Sequence, residues 1–306
     1  MTQDVSGLGI GDLAELTGVP VRTIRFYCDE GLLDFRRSAG GHRRFARSAV
    51  ERLDLVRRLR GLGLGLQAIA AVLSGERSVA EVVAAERAAL DAELAALAWR
   101  RASLAAVEAA TPGDRAARLA LLAAVADHTA ARGALVDFWH GLFIADLPPD
   151  LTEMFLEVSV PRPPADPTPQ QVVAYAEMVA LTRDRTLAQR MRARARINIE
   201  RITDEAELLM GIGEACELAR PLLLVGRTPA PGPALDRYVA AYATVQRTRD
   251  TPAFRSELLT TAVVDRDPRL RRYWRLVGEV TGEPVPVGSA QAWLVDALER
   301  SLTRAS

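Results

Sequence analysis

With 306 residues, 49% of them hydrophobic and 25% charged, the chain has room for two domains of ordinary size and enough apolar content to exclude global disorder. Its 39 basic residues, all arginine, balance 39 acidic ones, so the chain as a whole is neither a polycation nor a polyanion. Two distant cysteines, Cys28 and Cys216, exclude a disulfide framework or a paired-cysteine metal site.

The start, "MTQDVSGLGIGDL", has neither the basic residues nor the apolar run of a signal peptide. No stretch of about 20 uninterrupted apolar residues follows. A soluble, cytoplasmic, mostly α-helical protein is expected. Ile10, Leu13, Ala14 and Thr17 share one helical face, and Gly18 ends that helix. Pro20 suits the first position of a second helix, in which Val21, Ile24 and Cys28 fall on one face while Arg22, Arg25, Phe26 and Asp29 point largely away. Two short helices joined through "TGVP" make a helix-turn-helix. "LLDFRRSAGGHRRF" then reads as a small hairpin around Gly40–Gly41, a wing. Residues 1–75 hold 11 arginines against 8 acids, and five of those arginines lie between Arg36 and Arg47 with no acid among them. Clustered arginine on one short element is the footprint expected of phosphate contact; the alternative for an isolated run is a solvated charged loop.

A third helix follows, with Ser48 and Glu51 at capping-box spacing and Val50, Leu53, Val56 and Leu59 on its apolar face. A fourth uses Leu66, Ile69, Ala70 and Leu73 and stops at Gly75. Ser78 and Glu81 form a second capping box, opening a helix free of Gly and Pro as far as Ala110, a span of about 50 Å. Val83, Leu90, Leu97 and Leu104 recur every seventh residue and Leu94 widens the seam. So long a helix with an alanine-rich seam is expected to pair with another helix. "TPGD" at 111–114 closes it, and the rest of the chain reads as helical too. Thr168, Pro169 and Gln171 start a helix expected to continue to Ile202.

The run "IGDLAELTGVPVRTIRFYCDEGLL", then "GGHRRF", then "VERLDLVRRLRGLGLGLQAIAAVL" resembles the MerR family of winged-helix transcription regulators over residues 8–75. The resemblance implies three parts: a winged helix-turn-helix DNA-binding domain (1–75), a dimerisation helix (76–111) and an all-helical C-terminal effector domain (112–306). It implies that the second helix enters the major groove and the wing grips the backbone. Arg22, Thr23, Arg25 and Tyr27 would then face DNA, with Arg36, Arg37, His42, Arg43 and Arg44 on the wing. Phe45 stands where the family usually has tyrosine, so a hydroxyl contact to phosphate is missing. Val83, Leu90, Leu94, Leu97 and Leu104 would carry the homodimer seam. The implied mechanism is distortion of a promoter pseudo-palindrome to realign it for RNA polymerase.

No cofactor is expected. Metal sensing is disfavoured, because no cysteine lies near the dimer helix and His128 and His140 are twelve residues apart. The large C-terminal part is reminiscent of members that sense drug- or antibiotic-like ligands. Candidate ligand contacts are Trp139, His140, Phe143, Tyr175, Tyr238, Tyr242 and Trp274, with Phe138 and Tyr273 as further candidate lining; aromatics at helical spacing also serve as plain core. The alternative is a C-terminal domain that binds a protein partner or only supports dimerisation. An enzyme is not expected: there is no nucleophile elbow, phosphate loop or metal cluster, and "GIG" at 211–213 is too short for a nucleotide loop.

Overall fold

The computed structural model describes residues 7–143 and 147–303; the first six residues of the N-terminal stretch tested for a signal peptide lie outside them. The chain is mostly helical and divides into two compact units, residues 1–93 and 94–306.

The first unit opens with a short strand, β1 (Leu8–Gly9), and helix α1 (Ile10–Thr17). Asp12 accepts a hydrogen bond from the Gly9 N–H at 2.9 Å, tying the first turn. Gly18 ends α1 at φ 66°, a left-handed conformation that a side chain would resist. Helix α2 (Val21–Asp29) follows, with Pro20 just outside it as the cap rather than as its first residue. Strands β2 (Arg36–Arg37) and β3 (Arg43–Phe45) form the wing hairpin, and β1 adds a third antiparallel strand on the far side of β3, giving the order β1-β3-β2. Helices α3 (Ser48–Gly61) and α4 (Leu66–Leu73) complete the unit. The capping box expected at Ser48–Glu51 does not form. Arg47 is already helical, and the Ala49 N–H bonds the Ala46 carbonyl, so Ser48 sits inside the first turn. Leu13, Ile24, Leu33, Phe45 and Leu53 form one core; Leu32, Val56, Leu59, Leu64 and Ile69 form its neighbour.

Helix α5 (Val79–Glu108) starts in the first unit and ends in the second, two residues short of Ala110. Its capping box does form: the Ser78 N–H and hydroxyl both bond the Glu81 carboxylate, at 2.7 and 2.8 Å. At about 3.6 residues per turn its two faces separate cleanly. Trp99, Ala102 and Ala106 are buried in the second unit's core. Val83, Leu90, Leu94, Leu97 and Leu104 fall on the opposite side and are exposed, Leu94 and Leu104 at 63%.

The second unit continues through α6 (Arg115–Ala123), α7 (His128–His140), α8 (Pro149–Ser159), α9 (Pro169–Thr182), α10 (Arg185–Arg201), α11 (Glu205–Leu224), α12 (Pro233–Val245), α13 (Pro252–Thr261), α14 (Pro268–Thr281) and α15 (Val287–Thr303). Two hydrophobic cores form within it. One gathers Trp99, Leu135, Trp139, Tyr175 and Tyr273; the other gathers Leu208, Cys216, Leu235, Tyr238 and Leu294. Thr168 and Gln171 cap α9 reciprocally, as their spacing requires.

The single helix expected from Pro169 to Ile202 is instead two. The chain breaks at Arg183–Asp184 because the Asp184 carboxylate caps the N–H groups of Thr186 and Leu187, at 2.8 and 3.1 Å. Asp267 caps α14 in the same way, and one guanidinium holds both caps: Arg269 reaches Asp184 at 2.8 Å and Asp267 at 2.7 Å. Arg269's hydrogen bonds, opposed by burial, hold the Asp267 carboxyl down at about 2. A carboxylate lowered on folding contributes stability above its ordinary value of 3.8, and that contribution is lost as pH falls through about 2. Acid titration of thermal stability is therefore expected to lose about 2 kcal/mol between pH 5 and 2 through this group. Asp267→Asn should lower the neutral-pH melting temperature and flatten that part of the acid limb; an unchanged limb would refute the assignment.

Candidate nucleic-acid interface and interior cavity

The first unit presents a continuous arginine-bearing surface built from α2 and the wing. Ile24 is fully buried and Cys28 nearly so, which fixes the inner face of α2. Burial raises the Cys28 thiol's pKa despite the neighbouring Arg43. Val21 is only half-buried. Arg22 and Arg25 lie exposed on the outer face, and neither side chain is spent on an ion pair among the described residues. Thr23 is half-buried beside them. Tyr27 packs between the unit's two cores with its ring 5.9 Å from that of Phe26. Phe26 is 47% exposed, an aromatic surface next to Arg25 that the sequence reading did not single out as a contact.

In the wing the register pairs Arg36 with Arg44 and Arg37 with Arg43 across the two strands. Gly41, at φ 79°, makes the turn, which is closed by the Ser38 N–H to the His42 carbonyl at 2.9 Å. Arg36, Arg37, His42 and Arg44 are exposed. Arg37 donates to the Gly41 carbonyl at 3.3 Å and Arg44 to that of Gly7 at 3.2 Å. Arg43 differs. Its guanidinium bonds Asp29 at 2.6 Å and the Arg25 carbonyl at 3.4 Å, and lies 4.6 Å from the centre of the Phe35 ring. Phe45 is buried against Phe35, so its lack of a hydroxyl suits the core.

The second unit contains a cavity of about 460 Å³, the size of ordinary small-molecule sites. Trp139, Phe143, Phe155 and Trp274 form an aromatic wall, with Trp139 and Trp274 ring centres 5.4 Å apart. Trp139 is held in place: its Nε1–H donates to the Tyr273 hydroxyl at 2.8 Å, which donates to the Ser159 carbonyl at 2.7 Å. Trp274 stacks on the backbone of Gly288, where any side chain would fall within 2.2 Å of the indole. On another side Arg194 pairs with Asp265 and donates to the Tyr242 hydroxyl at 3.0 Å. Burial raises the Tyr242 hydroxyl pKa, and the Asp265 charge holds the Arg194 guanidinium firmly protonated. Arg220, Glu217 and Glu283 form a second ionic group lining the cavity.

Of the candidate ligand contacts, Trp139, Phe143, Tyr242 and Trp274 line this cavity. His140 is exposed against Phe143. Tyr175 and Tyr238 are fully buried in the two cores and do not reach the lining. Phe155 on α8, Arg194 on α10 and Asp265 in the turn before α14 also line the cavity, and no local sequence signature marks them. Among the described residues no group of three or more His, Cys, Asp or Glu side chains is placed to hold a metal ion. No single helix there is long and apolar enough to cross a membrane.

Comparison with known proteins gives the first unit its kin. Residues 8–76 match the family described as MerR HTH family regulatory protein, a description of a regulator rather than an enzyme. The nodulation protein NolA of Bradyrhizobium elkanii is 43% identical over 75 residues, 24% of this chain and 34% of NolA. The HTH-type transcriptional regulator HmrR of Rhizobium leguminosarum bv. viciae is 38% identical over 60 residues, 20% of this chain and 46% of HmrR. The HTH-type transcriptional activator TipA of Streptomyces coelicolor is 42% identical over 65 residues, 21% of this chain and 26% of TipA. The matched stretch thus spans about a third of the length of the NolA relatives. No solved structure matches the chain.

Proposed function

Starting from its MerR-family helix-turn-helix domain, we propose that this protein is a ligand-responsive transcriptional regulator. The observation that carries the DNA-binding part is the outward face of α2 with the adjoining wing. There Arg22, Thr23, Arg25, Arg36, Arg37, His42 and Arg44 gather on one domain, with Tyr27 and Arg43 packed behind them and the exposed arginines outnumbering nearby acids. Arginine's fork suits guanine edges as well as phosphates, so one face can supply both register and sequence readout.

In this reading residues 1–75 bind DNA, 76–111 join two copies, and 112–306 sense an effector. Two chains pair through Val83, Leu90, Leu94, Leu97 and Leu104 and bind a promoter pseudo-palindrome in the cytoplasm, handing realigned DNA to RNA polymerase. The effector occupies the cavity against Trp139, Phe143, Tyr242 and Trp274, and acts by binding one dimer conformation better than the other. Glu217 and Glu283 share the one guanidinium of Arg220 in the lining, so a hydrophobic ligand with a cationic group would be balanced there. A half-open concave pocket of ligand size with an aromatic wall, rather than a flat apolar patch, favours this reading over a C-terminal domain that docks a protein partner or merely supports the dimer.

DNase footprinting of the DNA upstream of the protein's own gene tests it. The expected result is a protected pseudo-palindrome between promoter elements with hypersensitive central bases. Failure of the dimer to protect or shift any duplex at low salt would remove the DNA-binding reading.

A further inference from the structure

The wing carries a division of labour among its arginines. Along a strand, side chains alternate between faces, so the cross-strand pair Arg36–Arg44 lies on one face of the hairpin and the pair Arg37–Arg43 on the other. The alternation is visible in burial along β3: Arg43 half-buried, Arg44 exposed, Phe45 buried. Like charges placed directly opposite each other destabilise a ribbon. Two such pairs in so short a hairpin persist only if something offsets the repulsion.

For Arg43 the offset is internal. Its side chain is only 21% exposed, and the guanidinium meets three acceptors at once: the Asp29 carboxylate at the C-terminal end of α2, the carbonyl of Arg25 one turn earlier, and the face of Phe35. A planar, permanently charged fork held on all sides ties the wing to the end of α2. For Arg36 and Arg44 no acid answers among the described residues.

We infer that Arg43 is a strut between α2 and the wing, a positioning residue, whereas the outward pair Arg36–Arg44 supplies the wing's phosphate contacts. Asp29, an acid on a DNA-facing element, thereby helps binding by aiming the wing instead of opposing it by repulsion. The inference rests on the DNA-binding function proposed for this domain and sharpens it.

The test uses the full-length protein and its Arg43→Gln, Arg44→Gln, Asp29→Asn and Asp29→Asn/Arg43→Gln variants. Affinity for a duplex of arbitrary sequence is measured across a salt series, because phosphate contacts do not need an operator. Removing one arginine–phosphate interaction should flatten the log–log salt slope by about 0.9. Arg44→Gln is expected to show that flattening. Arg43→Gln should keep the wild-type slope and bind several-fold more weakly at every salt. Asp29→Asn should reproduce the Arg43→Gln defect although it removes a negative charge, and the double variant should be no worse than either single one. A slope drop in Arg43→Gln equal to that of Arg44→Gln, or tighter binding by Asp29→Asn, would overturn the strut.

Hydrogen exchange of the wing amides, read without DNA, gives a second measurement. Faster exchange in Arg43→Gln and Asp29→Asn, but not in Arg44→Gln, supports the strut; unchanged exchange in the first two overturns it. If the wild-type protein binds no duplex, the DNA-binding reading fails while the exchange result still decides the role of Arg43.

Discussion

A chain carrying Leu94→Glu and Leu97→Glu is expected to sediment as a monomer and to bind its operator at least about 100-fold more weakly than the parent. Leu90, Leu94, Leu97 and Leu104 stand 49% to 63% exposed in one stripe of α5. Burying a leucine contributes about 1.5–3 kcal/mol, so four of them in each of two chains form an ample seam. In a two-fold interface each residue meets its own copy or a neighbour's, and two glutamates per chain place four charges in a dry seam. The internal core should be spared, because Trp99, Ala102 and Ala106 occupy the opposite face of the helix. Retained helicity and melting temperature would separate loss of pairing from loss of folding. A double variant that remains dimeric by sedimentation would sink the seam.

Asp265→Ala is the second large effect. The Arg194–Asp265 pair is only 15% and 11% exposed. Removing the carboxylate leaves a guanidinium buried with the Tyr242 hydroxyl as its remaining partner, at a cost of about 3–5 kcal/mol. For a unit of this size that corresponds to a fall of roughly 10 °C in melting temperature. All four tryptophans, Trp99, Trp139, Trp274 and Trp293, lie in the second unit, so their fluorescence follows its unfolding specifically. Replacing both partners, Arg194→Met with Asp265→Leu, should recover much of the stability, since an apolar pair leaves no orphan charge. If Asp265→Ala melts within a degree or two of the parent, the pair contributes little and the cavity's polar side is held by something else.

Local chemistry made much of this fold legible in advance. Gly18, Thr168 with Gln171, and Ser78 with Glu81 mark helix ends through bonds made within three or four residues. The Gly40–Gly41 pair marks the wing, and a seven-residue recurrence marks the exposed stripe of α5. What stayed hidden depended on context. Leu8 and Gly9 are too few to announce a strand, and become one only because β3 offers an edge. Ser48 and Glu51 have capping-box spacing, yet the helix began one residue too early to use it. Asp184 broke an apparently continuous helix because Arg269, 85 residues away, secures the cap.

The cavity was the least legible feature. Aromatic density in "DFWHGLF" pointed to Trp139, His140 and Phe143, of which Trp139 and Phe143 line the cavity and His140 does not. It did not distinguish Tyr175 and Tyr238, sealed in core, from Tyr242 and Trp274, which line the cavity, and it passed over Phe155. That difference is set by how helices distant in sequence pack, and no local pattern encodes it.

The clasp between Trp274 and Gly288 has an optical consequence. Trp139 and Trp274 are two of only four indoles, and both border the cavity. Trp99 and Trp293 are occupied elsewhere, donating to the carbonyls of Val125 and Arg227. With Gly288 beneath it, the Trp274 ring cannot shift toward α15 without displacing that helix. An arriving molecule must therefore either share the space in front of the two rings or move a helix, and either event changes their surroundings. The protein carries its own unlabelled reporter of occupancy, and its intrinsic emission is a ready readout for screening compounds whose identity is not known in advance.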